Sequence, residues 1–159
     1  MSGSSNNRAF VIRCVRKTFG PTEALNIPAV DGREIHIPRG RTTAVLGRSG
    51  SGKSTLLSIL GLLEEADRDG GAALTYFRPS EDGSGDTVLD LAALSPTQRQ
   101  QLCRDEFATV LQDGHLIGHI TVRENVGLGM ILPGGSPEEV KRVSSELVDG
   151  LGLKEQELA

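Results

Sequence analysis

Gly47-Arg48-Ser49-Gly50-Ser51-Gly52-Lys53-Ser54, followed by Thr55, has the spacing G-x-x-x-x-G-K-[ST]. The residues before it, Thr42-Thr43-Ala44-Val45-Leu46, are β-branched and apolar, which predicts a buried parallel strand. Those after it, Leu56-Leu57-Ser58-Ile59-Leu60, predict a helix with an apolar face. Strand, glycine loop and helix in that order form a loop that cradles phosphate. Gly47, Gly50 and Gly52 have no Cβ, so the backbone can turn sharply and approach a ligand closely. Its N–H groups then meet phosphate oxygens at the positive end of the helix dipole. Lys53 is placed to reach the β- and γ-phosphates, and the Ser54 hydroxyl to ligate Mg²⁺. The alternative, a glycine-rich surface loop, would leave the flanking strand and helix as coincidence. The expectation is a chain that binds a nucleoside triphosphate.

The 159 residues suffice for one domain with a core, and the net charge of −4 attracts neither nucleic acid nor anionic lipid. Four Phe, one Tyr and no Trp leave little for stacking platforms on single-stranded nucleic acid. Cys14 and Cys103 are far apart and in neither a metal nor a redox spacing, which suits a reducing compartment. No apolar run approaches the ~20 residues of a membrane span, and the expectation is a soluble protein. Residues 1–8 are polar and read as a disordered leader without a signal-peptide core.

Outward from the loop, Ala9 to Val15 alternates weakly as a first strand, and Pro21 to Val30 reads as a loop. Asp31-Gly32 is a hairpin signal before a half-buried strand at Glu34-Ile35-His36-Ile37. Downstream, Ala72 to Phe77 and Thr87 to Leu91 read as short strands around a polar, Gly-rich loop. Ser95-Pro96-Thr97-Gln98 opens a helix with a capping box, running to about Asp105. Phe107-Ala108-Thr109-Val110-Leu111 predicts a second buried strand, ending at Gln112-Asp113-Gly114. Thr121-Val122-Arg123-Glu124 and Ser136-Pro137-Glu138-Glu139 cap two further helices, with stop signals at Gly150 and Gly152.

Taken together, these features resemble the nucleotide-binding domain of ABC transporters over nearly all of residues 9–159. Beyond the loop, the resemblance rests on Phe19-Gly20 upstream of it, on the strand Phe107 to Leu111 entering Gln112, and on Leu116 to Val126. Leu56 to Leu63 and Leu91-Ala92-Ala93-Leu94-Ser95 are similar to the lipoprotein-releasing and macrolide-export branch. The fold implied is α/β, a P-loop NTPase core with an antiparallel β subdomain, truncated before the signature motif. The resemblance divides the chain into a β subdomain and P-loop core at 9–113 and the start of a helical subdomain at 114–159.

The family implies ATP and Mg²⁺ as ligands. Phe19 would stack on adenine, residues 47–55 would hold the phosphates, and Gln112 would meet Mg²⁺ or the attacking water, with Ser54 the other metal contact. The alternatives are a core aromatic for Phe19 and a satisfied strand-end amide for Gln112. The family also implies a membrane-spanning partner subunit, a second nucleotide-binding domain in a head-to-tail dimer, and a cytoplasmic place on the inner face of the membrane. It implies no nucleic-acid partner.

Hydrolysis in this family needs a signature L-S-G-G-Q, an acidic residue closing a second apolar strand, a catalytic glutamate and a later histidine. Ile59 to Glu65 mimics the acidic strand but falls at the end of the loop helix, and Leu132-Pro133-Gly134-Gly135-Ser136 mimics the signature but reads as a turn. His36 precedes the loop, and His115 and His119 lie in a loop rather than on a helix. No catalytic residue is assigned. A small P-loop kinase is the competing enzyme class, with Arg99 and Arg104 as lid candidates on what reads as a solvated helix face. A non-hydrolytic nucleotide-binding module is the other alternative.

Overall fold

The computed structural model describes residues 7–28, 32–68, 72–80, 82–112, 114, 116–131 and 134–153. Residues 1–6 of the expected leader, Asp31, Asp113, His115, Leu132, Pro133 and residues 154–159 lie outside them. Two compact units divide the chain, residues 1–103 and 104–159.

The first unit is built on one antiparallel sheet. β1 (Arg8–Phe19) pairs with β3 (Ile35–Pro38) and with β4 (Ala73–Pro79) along its first half, and with β2 (Thr22–Ile27) along its second. β5 (Asp86–Asp90) adds to the far side of β4, giving the order β2-β1-β4-β5. β1 continues past the expected end at Val15 because Arg16 to Phe19 find partners in β2. The stretch expected as a loop after Pro21 is therefore largely strand. Gly20, with φ 59, and Pro21 make the tight link between the two strands.

Val11, Ile12 and Val15 of β1 and Leu74 of β4 are buried, and α1 (Lys53–Leu60) contributes Leu56, Ile59 and Leu60. Burying such side chains contributes about 1.5–3 kcal/mol each. α2 (Pro96–Glu106) opens as expected: the Ser95 N–H donates to Gln98 Oε1 at 3.0 Å, and the Gln98 N–H returns to Ser95 Oγ at 3.3 Å.

Two expected strands are not strands. Residues 42–48 and 107–111 carry no ladder, Leu46 is 89% exposed and Val110 97%. Strand composition alone does not make a strand: the backbone groups need a hydrogen-bonded neighbour, and among the described residues neither stretch has one.

The second unit is a helical hairpin of α3 (Val122–Ile131) and α4 (Pro137–Gly150). Gly127 lets them approach, since a Cβ there would lie 2.9 Å from Val140 Cγ1. The Ser136 hydroxyl accepts from the Glu139 N–H at 3.2 Å, and Gly152, at φ 67, ends the last helix. At the start of α3 the Thr121 N–H donates to Glu124 Oε2 at 2.8 Å, and the Glu124 N–H to Thr121 Oγ1 at 3.2 Å.

The Thr121 backbone bond, joined by its hydroxyl, holds the Glu124 carboxyl below the usual glutamate range. A folded value below the unfolded one stabilises α3 above the ordinary glutamate pKa and is lost as pH falls through the lowered one. Followed by NMR, the Thr121 amide proton is therefore expected to titrate with a midpoint below that of an exposed glutamate. A midpoint at the ordinary value would remove the capping box from the account.

Candidate phosphate-binding site

The loop lies wholly in the first unit, between the extended stretch at 42–46 and α1. Gly50 and Gly52 take φ 75 and 83, the left-handed region that a Cβ disfavours. Gly52 is the residue capping α1, with no side-chain cap, and its carbonyl takes the first helical bond from the Leu56 N–H at 2.8 Å. The N–H groups of Lys53, Ser54 and Thr55 thus have no helix carbonyl behind them. No acidic residue stands in the first turn to occupy that positive end. These are the features a phosphate group requires, so the residues of the loop fit a bound phosphate.

Packing also fixes where the loop sits. A Cβ on Gly52 would fall 2.7 Å from the Ala24 carbonyl oxygen and 2.8 Å from Leu25 Cδ1, so the start of α1 rests directly on β2. A Cβ on Gly47 would meet Ser51 Oγ at 2.7 Å, which folds the two ends of the loop together. The Ser51 N–H donates to the Arg48 carbonyl at 3.2 Å, and Lys53 Nζ donates to the same carbonyl at 2.8 Å. The ammonium therefore lies over the loop. Arg48, Ser49, Ser51 and Ser54 stand in the loop or in the first helical turn, with Thr55 next to them.

Phe19 is linked to the loop only through intermediaries. Leu25, against which Gly52 packs, is the cross-strand neighbour of Lys17, and Lys17 Nζ lies 5.0 Å from the Phe19 ring centroid. Phe19 is 48% exposed at the end of β1, so it is not a core aromatic. Gln112 belongs to the second unit, exposed in the turn after Leu111. Its role rests on the resemblance alone.

Other candidates find structural employment. α1 ends through Leu62, a non-glycine residue at φ 61, with the Leu62 N–H on the Ile59 carbonyl and the Leu63 N–H on that of Ser58. That turn carries Glu64 and Glu65 toward β1, where Glu64 Oε2 lies 3.0 Å from Lys17 Nζ. Glu65 Oε1 lies 3.3 Å from Arg99 Nε. The two acids mimicking a catalytic pair are thus committed to ion pairs. Arg99, expected on a solvated face, instead donates to the carbonyls of Glu64 and Leu91 at 3.3 and 3.1 Å. The α2 register turns it inward, which removes Arg99 from a lid role, while Arg104 stays exposed and paired with Asp105.

His36 Nε2 lies 2.8 Å from Glu34 Oε2. Among the described residues, no group of three or more His, Cys, Asp or Glu could hold a metal ion. No described helix is long and apolar enough to cross a membrane. Gly134 and Gly135 donate to the Ile131 and Met130 carbonyls, so the described part of the signature-like stretch is the α3–α4 turn.

What the sequence reading did not single out is Lys17. No local pattern marks it, because its partners come from a segment nearly fifty positions away (|i−j| = 48 to Glu65).

Residues 30–158 match the ABC transporter family. The chain is 34% identical over 142 residues to a macrolide export ATP-binding/permease protein, MacB, of Marinobacter nauticus, covering 89% of this chain and 20% of that protein. It is 33% identical over 144 residues to the glutamine transport ATP-binding protein GlnQ of Escherichia coli, covering 89% of this chain and 51% of the relative. A dimeric structure of MJ0796, a bacterial ABC transporter cassette, superposes with a TM-score of 0.68 at 26% identity, covering 94% of this chain and 60% of that one. The chain thus spans about a fifth to three-fifths of the length of these relatives.

Proposed function

The chain belongs to the ABC transporter family as an ATP-binding domain, and from that premise we propose that it binds MgATP through residues 47–55 to energise transport through a separate membrane subunit. The observation that carries the reading is the uncapped, acid-free start of α1, set on β2 by Gly52 with Lys53 folded over the loop. When bound, MgATP supplies the free energy of its phosphoanhydride bonds.

The residues of this chain do the holding. The amides of Lys53, Ser54 and Thr55 would donate to phosphate oxygens, while the Ser51 N–H is held by the Arg48 carbonyl. Lys53 would exchange the Arg48 carbonyl for phosphate, a stronger charge-assisted partner. The Ser54 hydroxyl would hold Mg²⁺, and Gln112 keeps only the metal or water contact that the resemblance implies for it. Phe19 would stack on the adenine ring, and the loop after Gln112 would pass motion to a membrane partner.

Relatives named as transport and export ATP-binding proteins, and a cassette solved as a dimer, support a second nucleotide-binding domain and a place on the cytoplasmic face of the membrane. Cleavage of the γ-phosphate is assigned to no residue here.

Two titrations test the reading. MgATP is expected to bind saturably to the chain, and phosphate release measured beside it separates an ATPase from a non-hydrolytic module. Phe19→Ala is expected to weaken MgATP by about 0.5–1.5 kcal/mol, roughly two- to tenfold, while leaving inorganic triphosphate unchanged. Equal ATP affinity in the variant and the parent would dismiss Phe19 as the base platform.

A further inference from the structure

We propose that Lys17 is a positioning residue for the nucleobase, holding one face of the Phe19 ring so that the other receives the base. The inference rests on the stacking role of Phe19 proposed above. Lys17 is a strand residue whose side chain is only 14% exposed. Its Nζ lies 3.0 Å from Glu64 Oε2, donates to the Glu65 carbonyl at 2.9 Å and stands 5.0 Å from the Phe19 centroid.

The two oxygens fix the ammonium, and the ammonium fixes the ring, because a cation is attracted to the negative face of an aromatic. An aromatic at a hairpin end would otherwise exchange rotamers. A ring fixed beforehand loses less freedom when a planar base stacks on it. Cation on one face and nearly half the residue exposed is the arrangement of a one-sided platform.

The same contacts tie the end of β1 to the segment after α1. Glu64 and Glu65 lie on the segment that follows α1, whose first turn belongs to the phosphate loop. Neighbouring bonds repeat the tie on either side of Lys17. The Thr18 hydroxyl donates to Asp67 Oδ2 at 2.8 Å, and the Asp67 N–H donates to the Arg16 carbonyl at 2.8 Å. The strand end bearing Phe19 is thereby pinned to the segment that follows α1. The predicted readout is selectivity for ATP over bare triphosphate.

The experiment compares Lys17→Met, which keeps the stem and removes the charge, with Lys17→Arg, which keeps the cation. Binding of MgATP and of Mg²⁺-triphosphate is measured for each by calorimetry. Lys17→Met is expected to lose about two- to fivefold on ATP with triphosphate unchanged, and Lys17→Arg to stay near the parent on both. The proposal is overturned if Lys17→Met keeps the parent's ATP affinity, or if it loses ATP and triphosphate by the same factor.

Phe19→Ala separates the two layers of the argument. If that variant weakens ATP and Lys17→Met does not, only the Lys17 assignment fails. If Phe19→Ala binds ATP like the parent, the stacking reading fails and takes this one with it.

Discussion

Gly52→Ala is expected to destabilise the first unit by about 2–4 kcal/mol, whereas Gly50→Ala costs only about 1–2 kcal/mol. Both glycines are left-handed, at φ 83 and 75, so both variants incur the backbone penalty. They differ in what surrounds the added methyl. Beyond Gly50 there is nothing within 4 Å, but at Gly52 the Ala24 carbonyl oxygen lies 2.7 Å away and Leu25 Cα 3.3 Å.

A side-chain tip could swing aside, yet a carbonyl within β2 cannot move without bending the strand. The start of α1 must shift instead, and it carries the loop amides with it. Urea unfolding of the two variants measures the difference. Equal losses would mean that Gly52 is required only for its φ and that the loop does not rest on β2.

Lys53→Ala is expected to lower MgATP affinity at least a hundredfold, about 2.7 kcal/mol, while changing stability by no more than about 1 kcal/mol. Among the described residues the ammonium bonds an exposed loop carbonyl, at 2.8 Å, and water replaces that partner readily. Against phosphate the same ammonium is a charge facing a charge, and truncation leaves that charge unanswered. The variant thus separates the grip on the ligand from the frame that Gly52 supports. If Lys53→Ala bound MgATP within a few-fold of the parent, the phosphates would lie elsewhere.

The contrast between these residues shows where sequence was sufficient. Glycine spacing and Lys53-Ser54 can be read directly, because the loop is a local object whose geometry depends on its own residues. The capping boxes at Ser95–Gln98 and Thr121–Glu124 are local in the same sense, and both form the reciprocal bonds their spacing implies.

Strands are different. Thr42 to Leu46 has the β-branched composition of a buried strand and no ladder, while Thr22 to Ile27, with Ala, Asn and Glu, looks unpromising yet pairs with β1. In each case a distant partner decides. Arg99 and Lys17 belong to the same class. Each is an ordinary basic residue in the sequence, and each acquires its role from Glu64 and Glu65, delivered by the unusual φ of Leu62.

The central claim is that the backbone of this loop, rather than some other surface, receives the phosphates. The direct measurement is an amide NMR titration of the chain with MgATP. The Gly50, Gly52, Lys53 and Ser54 amide protons should move downfield together along one saturation curve, as charge-assisted donors do. If those four resonances stay in place while MgATP binds, the phosphates are held elsewhere and the account is wrong.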